Sequence, residues 1–316
     1  MGAECRINSK LSTHNSQLIN IFYLCTPVNS ELRTQNSKLM KKILLLSCMA
    51  ACMACTNVEK PAAERLEMAR QAFAAGNYNE AKLQIDSIKI LYPKAFEARK
   101  AGIGLMQLVE LEEQQKSLAY LDSLIADKRN ELEAMKGKFA FEKDEEYETI
   151  GRYLHPSQVI EKNLNRSFLR FQVDELGNMS MTSIYCGSRN IHHTAVRVSC
   201  TDESFAQTPP SKDSYETSDL GIQIEKADYK LGEDGNVMGF VALNKERNIQ
   251  VEFLGDKNYK MQLGKADKEA AAGIYSLAEV LSTLTRLNKE REEAKQKIAF
   301  IEGKMKERAH QATSGM

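Results

Sequence analysis

The chain of 316 residues carries 43 basic and 43 acidic side chains, is 42% hydrophobic but only 7% aromatic, and contains no Trp. No basic block supplies the counterion-release energy on which nucleic-acid binding depends, so DNA and RNA are excluded as partners. The length suits one or two domains, with cores resting on Leu, Ile, Val, Met, Phe and Tyr.

Residues 1–39 show no sustained helical or strand period and repeat Asn-Ser-Lys-Leu at 8–11 and 36–39, a composition that is hard to pack. Residues 40–54, "MKKILLLSCMAACMA", place Lys41 and Lys42 before an apolar run of about 12 residues, the layout of a secretory signal peptide. The run falls short of the ~20 residues that a membrane-spanning helix needs. A signal works at a free N-terminus, so residues 1–39 are read as an over-extended, disordered leader and Met40 as the expected start. Loss of residues 1–54 would remove six basic and two acidic side chains from the 43 of each sign, leaving a formal charge of −4.

Three cysteines, Cys48, Cys52 and Cys55, each follow Ser or Ala near the end of this run. The arrangement resembles the lipobox of bacterial lipoproteins. That resemblance implies a thioether-linked diacylglycerol on the new N-terminal cysteine, and hence membrane attachment through lipid in the cell envelope. Leu45-Leu46-Ser47-Cys48 matches the pattern well but leaves too short an apolar run. Cys55 gives the better length and is the expected lipidation site, with Cys52 as the alternative. Thr56, where an Asp would retain the protein at the inner membrane, points to the outer membrane. An ordinary signal with ordinary cysteines is the plainer reading.

Residues 55–64 are expected to be a tether, with Pro61 marking a first helical turn. Residues 65–103 follow helical spacing interrupted at Gly76-Asn77 and Pro93, which predicts two helices of about 14 residues and the start of a third. Ala72-Phe73-x-x-Gly76-x-Tyr78-x-x-Ala81, followed by Tyr92-Pro93 and Ala98, resembles a tetratricopeptide repeat. The resemblance implies closely packed paired helices turning at Gly76, with a partner-binding role. One repeat is fewer than the three or so a solenoid needs, and a plain helical hairpin explains the same residues.

Residues 104–139 set Leu111, Leu118, Ile125, Leu132 and Phe139 at seven-residue intervals, with Leu108, Leu121 and Met135 at second seam positions. Residues 266–309 repeat this with Leu277, Leu284, Ile298 and Met305, accompanied by Val280, Leu287, Ala294 and Ile301, and Arg291 as a charged intruder. Both are coiled-coil seams. A narrow apolar stripe must be buried against another helix, so the two arms are expected to pair antiparallel, within one chain or between two in a homodimer. Residues 310–316 form a tail.

Between the arms, residues 140–265 read as β. Leu169-x-Phe171-x-Val173, Ile222-x-Ile224, Val237-x-Gly239-x-Val241-x-Leu243, Ile249-x-Val251-x-Phe253 and Tyr259-x-Met261-x-Leu263 alternate with polar residues. Turn residues stand between them, and residues 205–219 look like one long polar loop. The fold class is therefore α+β: a tetratricopeptide-like helical hairpin and antiparallel coiled-coil arms flanking an antiparallel β-sandwich or open barrel.

Little in the sequence carries chemistry. His192 and His193 lie between Cys186 and Cys200, but neighbouring strand residues point to opposite faces and the spacing matches no zinc pattern, so no metal is expected. A Cys–His nucleophile pair lacks an orienting third group, and the acidic run 142–148 is a solvated face. Cys186 and Cys200 either pair as a disulfide in an oxidising envelope or stay as buried thiols. No nucleophile elbow, phosphate loop or His-Glu-x-x-His helix is present, so no catalytic residue and no cofactor are expected. The reading is a lipid-anchored, non-catalytic scaffold holding protein partners in the cell envelope. A glycan- or peptidoglycan-binding β domain on a stalk is the alternative, and a hydrolase or isomerase the third.

Overall fold

The computed structural model describes residues 58–314. The segments expected to be an over-extended leader (1–39) and a signal peptide (40–54), and the lipidation candidates Cys55 and Cys52, lie outside the described residues. The chain divides into units of residues 1–61 and 62–316, and the elements below belong to the second, apart from the first residues of helix α1. The protein is α+β with two antiparallel sheets.

Helix α1 (Glu59–Ala74) ends in a turn where Gly76 takes φ +74°, a left-handed conformation that costs glycine nothing. Asn77 then caps α2 (Tyr78–Leu91), its side chain accepting from the Glu80 N–H. Pro93 follows the end of α2, and α3 (Phe96–Lys136) begins three residues later. Ala62, Leu66 and Ala69 of α1 pack with Ala81, Ile85 and Ile88 of α2 and with Ala98, Leu105 and Val109 of α3. Alanines at these contacts let the helix axes approach closely. The expected third helix and the first arm are thus one uninterrupted helix of 41 residues, about 60 Å long.

Helix α5 (Lys265–Ser314) runs antiparallel to α3. Phe139 lies against Gly273 at one end, Asp122 pairs with Arg291 at 2.5 Å in the middle, and Arg308 lies over Gly104 at the other end. Leu121 and Ile125 pack against Val280, Leu284, Leu287 and Ala294, with Leu118, Leu132 and Met135 alongside. Arg291, the intruder in the apolar repeat, is thereby an ion-pair partner at the seam edge. Leu108 does not join the seam as expected and is exposed, because the first turns of α3 bury Leu105 and Val109 against the α1–α2 hairpin instead.

The strands are β1 (Ala140–Glu142), β2 (Arg152–Leu154), β3 (Phe168–Asp174), β4 (Met179–Gly187), β5 (Ala195–Cys200), β6 (Phe205–Gln207), β7 (Ser214–Asp219), β8 (Ile222–Lys230), β9 (Ile249–Leu254) and β10 (Tyr259–Gln262). One sheet has the order β1-β2-β3-β4-β8-β7 and the other β10-β9-β5-β6. Both contribute to one core, in which Phe171, Val173 and Met181 meet Val196, Val198, Val251 and Phe253. The first half of α5 completes this core with Ala271, Ile274, Leu277 and Leu281, so α5 is partly head and partly arm. Its first turn is pinned by Asp267, buried and held bidentately by Arg166 at 2.7 and 2.9 Å.

Two expectations are corrected. Val237-x-Gly239-x-Val241-x-Leu243 is a helix, α4 (Val237–Leu243), and not a strand. The stretch is apolar nearly throughout, so a period of two was as easy to find as one of 3.6. Buried Asp234 decides it by accepting the Met238 N–H at 2.9 Å, which holds the first helical turn. The polar loop 205–219 contains strands β6 and β7, edge strands whose exposed side chains give no apolar alternation. Cys186 on β4 and Cys200 on β5 belong to different sheets and are free thiols.

The seam should dominate stability over its ion pair. Ile125→Ala, at a buried seam position, is expected to cost about 2 to 5 kcal/mol in urea unfolding, and Asp122→Ala less than about 1 kcal/mol. Equal losses would show that the apolar seam is not what holds the helices.

Candidate functional site

The chain crosses from one sheet to the other between β4 and β5, and residues 188–194 make that passage. Glu225 of β8, opposite Tyr185 of β4, meets it from below. One carboxylate oxygen accepts the N–H groups of Ile191 at 2.6 Å and His192 at 3.0 Å. The other accepts the His193 N–H and its ring Nδ1–H, both at 2.9 Å. Three consecutive backbone N–H groups converging on one anion form a nest, and the left-handed φ of His192, +52°, bends the chain to make it. Gly255 permits the β9–β10 turn to close against this segment, since a Cβ there would strike the Ile191 carbonyl, which accepts from the Asp256 N–H at 2.8 Å.

The far ring nitrogen of His193 lies 2.8 Å from Ser183 Oγ of β4. Ser183, His193 and Glu225 are therefore connected in the order of an acyl-transfer triad: hydroxyl, imidazole, carboxylate. Their relative exposures are 0%, 3% and 1%, which decides against that chemistry. No substrate carbonyl can reach the hydroxyl, and the N–H groups that would stabilise an oxyanion are filled by Glu225 itself. Phe253 stands edge-on to the imidazole with ring centres 5.1 Å apart, and Tyr185 lies 6.4 Å away. The polar chain continues in Tyr229, whose hydroxyl donates to the Thr194 carbonyl, and Thr208, whose hydroxyl accepts the Val196 N–H. It ties β4, β8, β5 and the segment after β6 together.

Burial by itself would raise the Glu225 carboxyl, but the donors from His193, Ile191 and His192 outweigh it and hold the group below the usual range. Burial raises the Cys186 thiol, which keeps it protonated and unreactive. Cys200 lines a separate hollow of about 430 Å³ beside Gln250 and Gln262. Neither thiol is a hydrogen-bond partner of His193.

His192 turns outward as its neighbour turns inward. Its Nδ1 lies 2.8 Å from Glu216 Oε1, and Asn190 donates to the other Glu216 oxygen at 2.7 Å. The hydrogen bond to Glu216 raises the His192 pKa. His192, Glu216 and Glu225 each bring one potential ligand atom within 4.8 Å of the others. A carboxylate has about four acceptor positions, and those of Glu225 are already occupied, so only two exposed side chains remain for an ion. The residues do not fit a metal centre.

The sequence placed both histidines in view but missed Ser183 and Glu225. A signal for Glu225 was present in β8, where the inward phase is Glu225-Ala227-Tyr229 and not the expected Ile222-x-Ile224. A charged residue in the buried phase of a strand marks a buried polar partner.

Glu225→Gln should cost about 3 to 5 kcal/mol, because an amide cannot accept all four donors, whereas Ser183→Ala should cost about 1 to 3 kcal/mol. A carboxyl whose folded pKa is lowered contributes stability that is present above its unfolded pKa, near 4.5, and lost as pH falls through the folded value. Urea unfolding from pH 7 to pH 3 should show this acid loss in the wild type and a smaller one in Glu225→Gln. Parallel profiles would remove Glu225 from this role.

Comparison with protein-family models, curated proteins and solved structures finds no match to this chain.

Proposed function

We propose that this chain is a lipid-anchored protein of the cell envelope that acts as a non-catalytic scaffold. The observation that carries the proposal is the sealing of Ser183, His193 and Glu225: the side chains with catalytic connectivity are spent on joining two sheets. Attachment is assigned to lipid on Cys55, or on Cys52, from the lipobox-like sequence that follows Lys41-Lys42, with Thr56 favouring the outer membrane. The partner-holding surface is assigned to the outer edge of α2, where Leu83, Ile90 and Leu91 are exposed on a closely packed base.

In this reading α1, α2 and the start of α3 are one tetratricopeptide-like unit. Phe73 and Tyr78 approach to 6.1 Å across the Gly76 turn, Ala81 is buried between helices, and Lys116 of α3 lies over the Tyr78 ring. The two sheets are read as an open sandwich whose gap is filled by α4 and α5.

A glycan-binding head is the second reading. It is favoured by a hollow of about 580 Å³ lined by Arg152, Gln172, Asn178, Ser180 and Lys230. Against it, Gln172 already donates to Ser180 and Asn178 to Asp174, which leaves few free groups for sugar hydroxyls.

Two measurements test the scaffold. Cells fed an alkyne fatty acid should label the wild-type chain and not the chain with both Cys55→Ser and Cys52→Ser; an unlabelled wild type contradicts the anchor. In-cell crosslinking should capture the same partners with wild type and Ser183→Ala and lose them with Leu118→Pro, since an interior Pro costs ~3 kcal/mol or more. Capture that Leu118→Pro leaves unchanged contradicts a role for the helical framework.

A further inference from the structure

Helix α3 has three working faces. One packs on α1 and α2, and another on α5. The third, bordering the first, carries Arg99, Ile103, Met106 and Glu110, which at 3.6 residues per turn fall within an arc of about 60°; Met106 is half-buried and also touches the hairpin core. With Ile85 of α2 they line an open groove of about 350 Å³. Ile103 is 52% exposed there, and Glu110 has no hydrogen bond or ion pair among the described residues.

The order along this stripe is cation, apolar, apolar, anion, and it is symmetric. Arg99 stands four residues before Ile103, and Glu110 four residues after Met106. A second α3 laid antiparallel in the groove, with the two-fold axis between Ile103 and Met106, sets each Arg99 against Glu110 of the other copy. The same operation sets each Ile103 against Met106. The α2 wall of the groove carries both Lys89 and Asp86 and so adds no net charge, and Arg99 donates to the Pro93 carbonyl at 2.6 Å while keeping its own charge for a partner. A parallel arrangement would instead oppose like charges.

Two exposed rings support the same geometry. Phe96 lies one turn before Arg99 and is 69% exposed; Phe300 of α5 is 67% exposed and lines a hollow with Glu110 and Glu113. The two-fold places Phe96 opposite Glu113 of the other copy, and hence beside its Phe300.

We propose that this face of α3 is a self-complementary dimer interface, occupied by the same face of a second copy, with Arg99–Glu110 pairs flanking an Ile103–Met106 centre. A two-fold interface must use one patch on both copies, and this patch meets that condition by the order of its charged and apolar residues. The dimer differs from one formed by exchanging arms, because the α3–α5 seam stays within each chain. It leaves the outer edge of α2 for other partners and does not depend on the scaffold reading.

Native mass spectrometry of the full-length chain released from detergent tests the interface. The wild type should be dimeric. Ile103→Asp should be monomeric with an unchanged circular dichroism spectrum. Arg99→Glu and Glu110→Arg should each weaken the dimer about tenfold or more, and their combination should restore it to within about threefold of wild type. A monomeric wild type, a dimer indifferent to Ile103→Asp and the single reversals, or reversals that the combination does not rescue would each overturn the proposal.

Discussion

Two long helices whose middle stretches are apolar along one edge cannot leave that edge in water, and its mutual burial is the constraint from which the rest of this molecule follows. Leu121 and Ile125 of α3 meet Val280, Leu284 and Leu287 of α5, and this contact fixes both ends of the chain's order. At one end α3 continues into the α1–α2 hairpin, which buries Leu105 and Val109. At the other end α5 begins inside the β core, where Ile274 and Leu277 are fully buried. The helical base and the β head are therefore joined by a packed element and not by a linker. Asp267, clamped by Arg166, secures the point where the head becomes the arm.

Within the head a different interaction governs. The two sheets are joined through a crossover that carries its own polar lock, in which one buried carboxylate satisfies three consecutive backbone N–H groups and one imidazole. Buried backbone donors are expensive to leave unpaired, so Glu225 is less an ornament of the core than a condition for the crossover to be buried at all. The same residues trace the connectivity of a catalytic triad. Connectivity is only one requirement, however; access and a free oxyanion site are others, and here both are taken up by the fold itself.

How far the sequence foretold this depends on whether the governing contacts are local or distant. The seven-residue repeat from Leu118 to Leu132 and from Val280 to Leu287 is a local pattern, and it announced the seam and the need for each helix to find a partner, whereas Leu277, expected in the same seam, is buried in the β core instead. Gly76 and Pro93 announced the hairpin in the same way, through backbone chemistry that belongs to single residues. Leu108 followed the repeat yet lies exposed, because α3 changes the face it buries where the hairpin ends, and no local signal marks that change. Residues 237–243 were legible as apolar but not as helical, since the capping carboxylate of Asp234 sits outside the alternating stretch. Strands β6 and β7 at sheet edges lacked any apolar rhythm. The Ser183–His193–Glu225 chain was the least legible feature: its members come from two strands and a crossover, and meet only when β4 pairs with β8. What could be read was Glu225 interrupting the inward phase of a strand, a mark of something buried and polar without indication of its partner.

The central claim is that α3 and α5 pair within a single chain. Its most direct test is a pulsed electron paramagnetic resonance distance between spin labels at Gln114→Cys and Gln296→Cys, which line one hollow formed by the two helices, with Cys186 and Cys200 replaced by Ser. Labelled chains are diluted in excess unlabelled protein so that only distances within one chain contribute. Paired helices lie 8 to 10 Å apart, so the account predicts a narrow distribution at about 20 Å or less. A broad distribution beyond about 40 Å, or a short distance that vanishes on dilution, would contradict it.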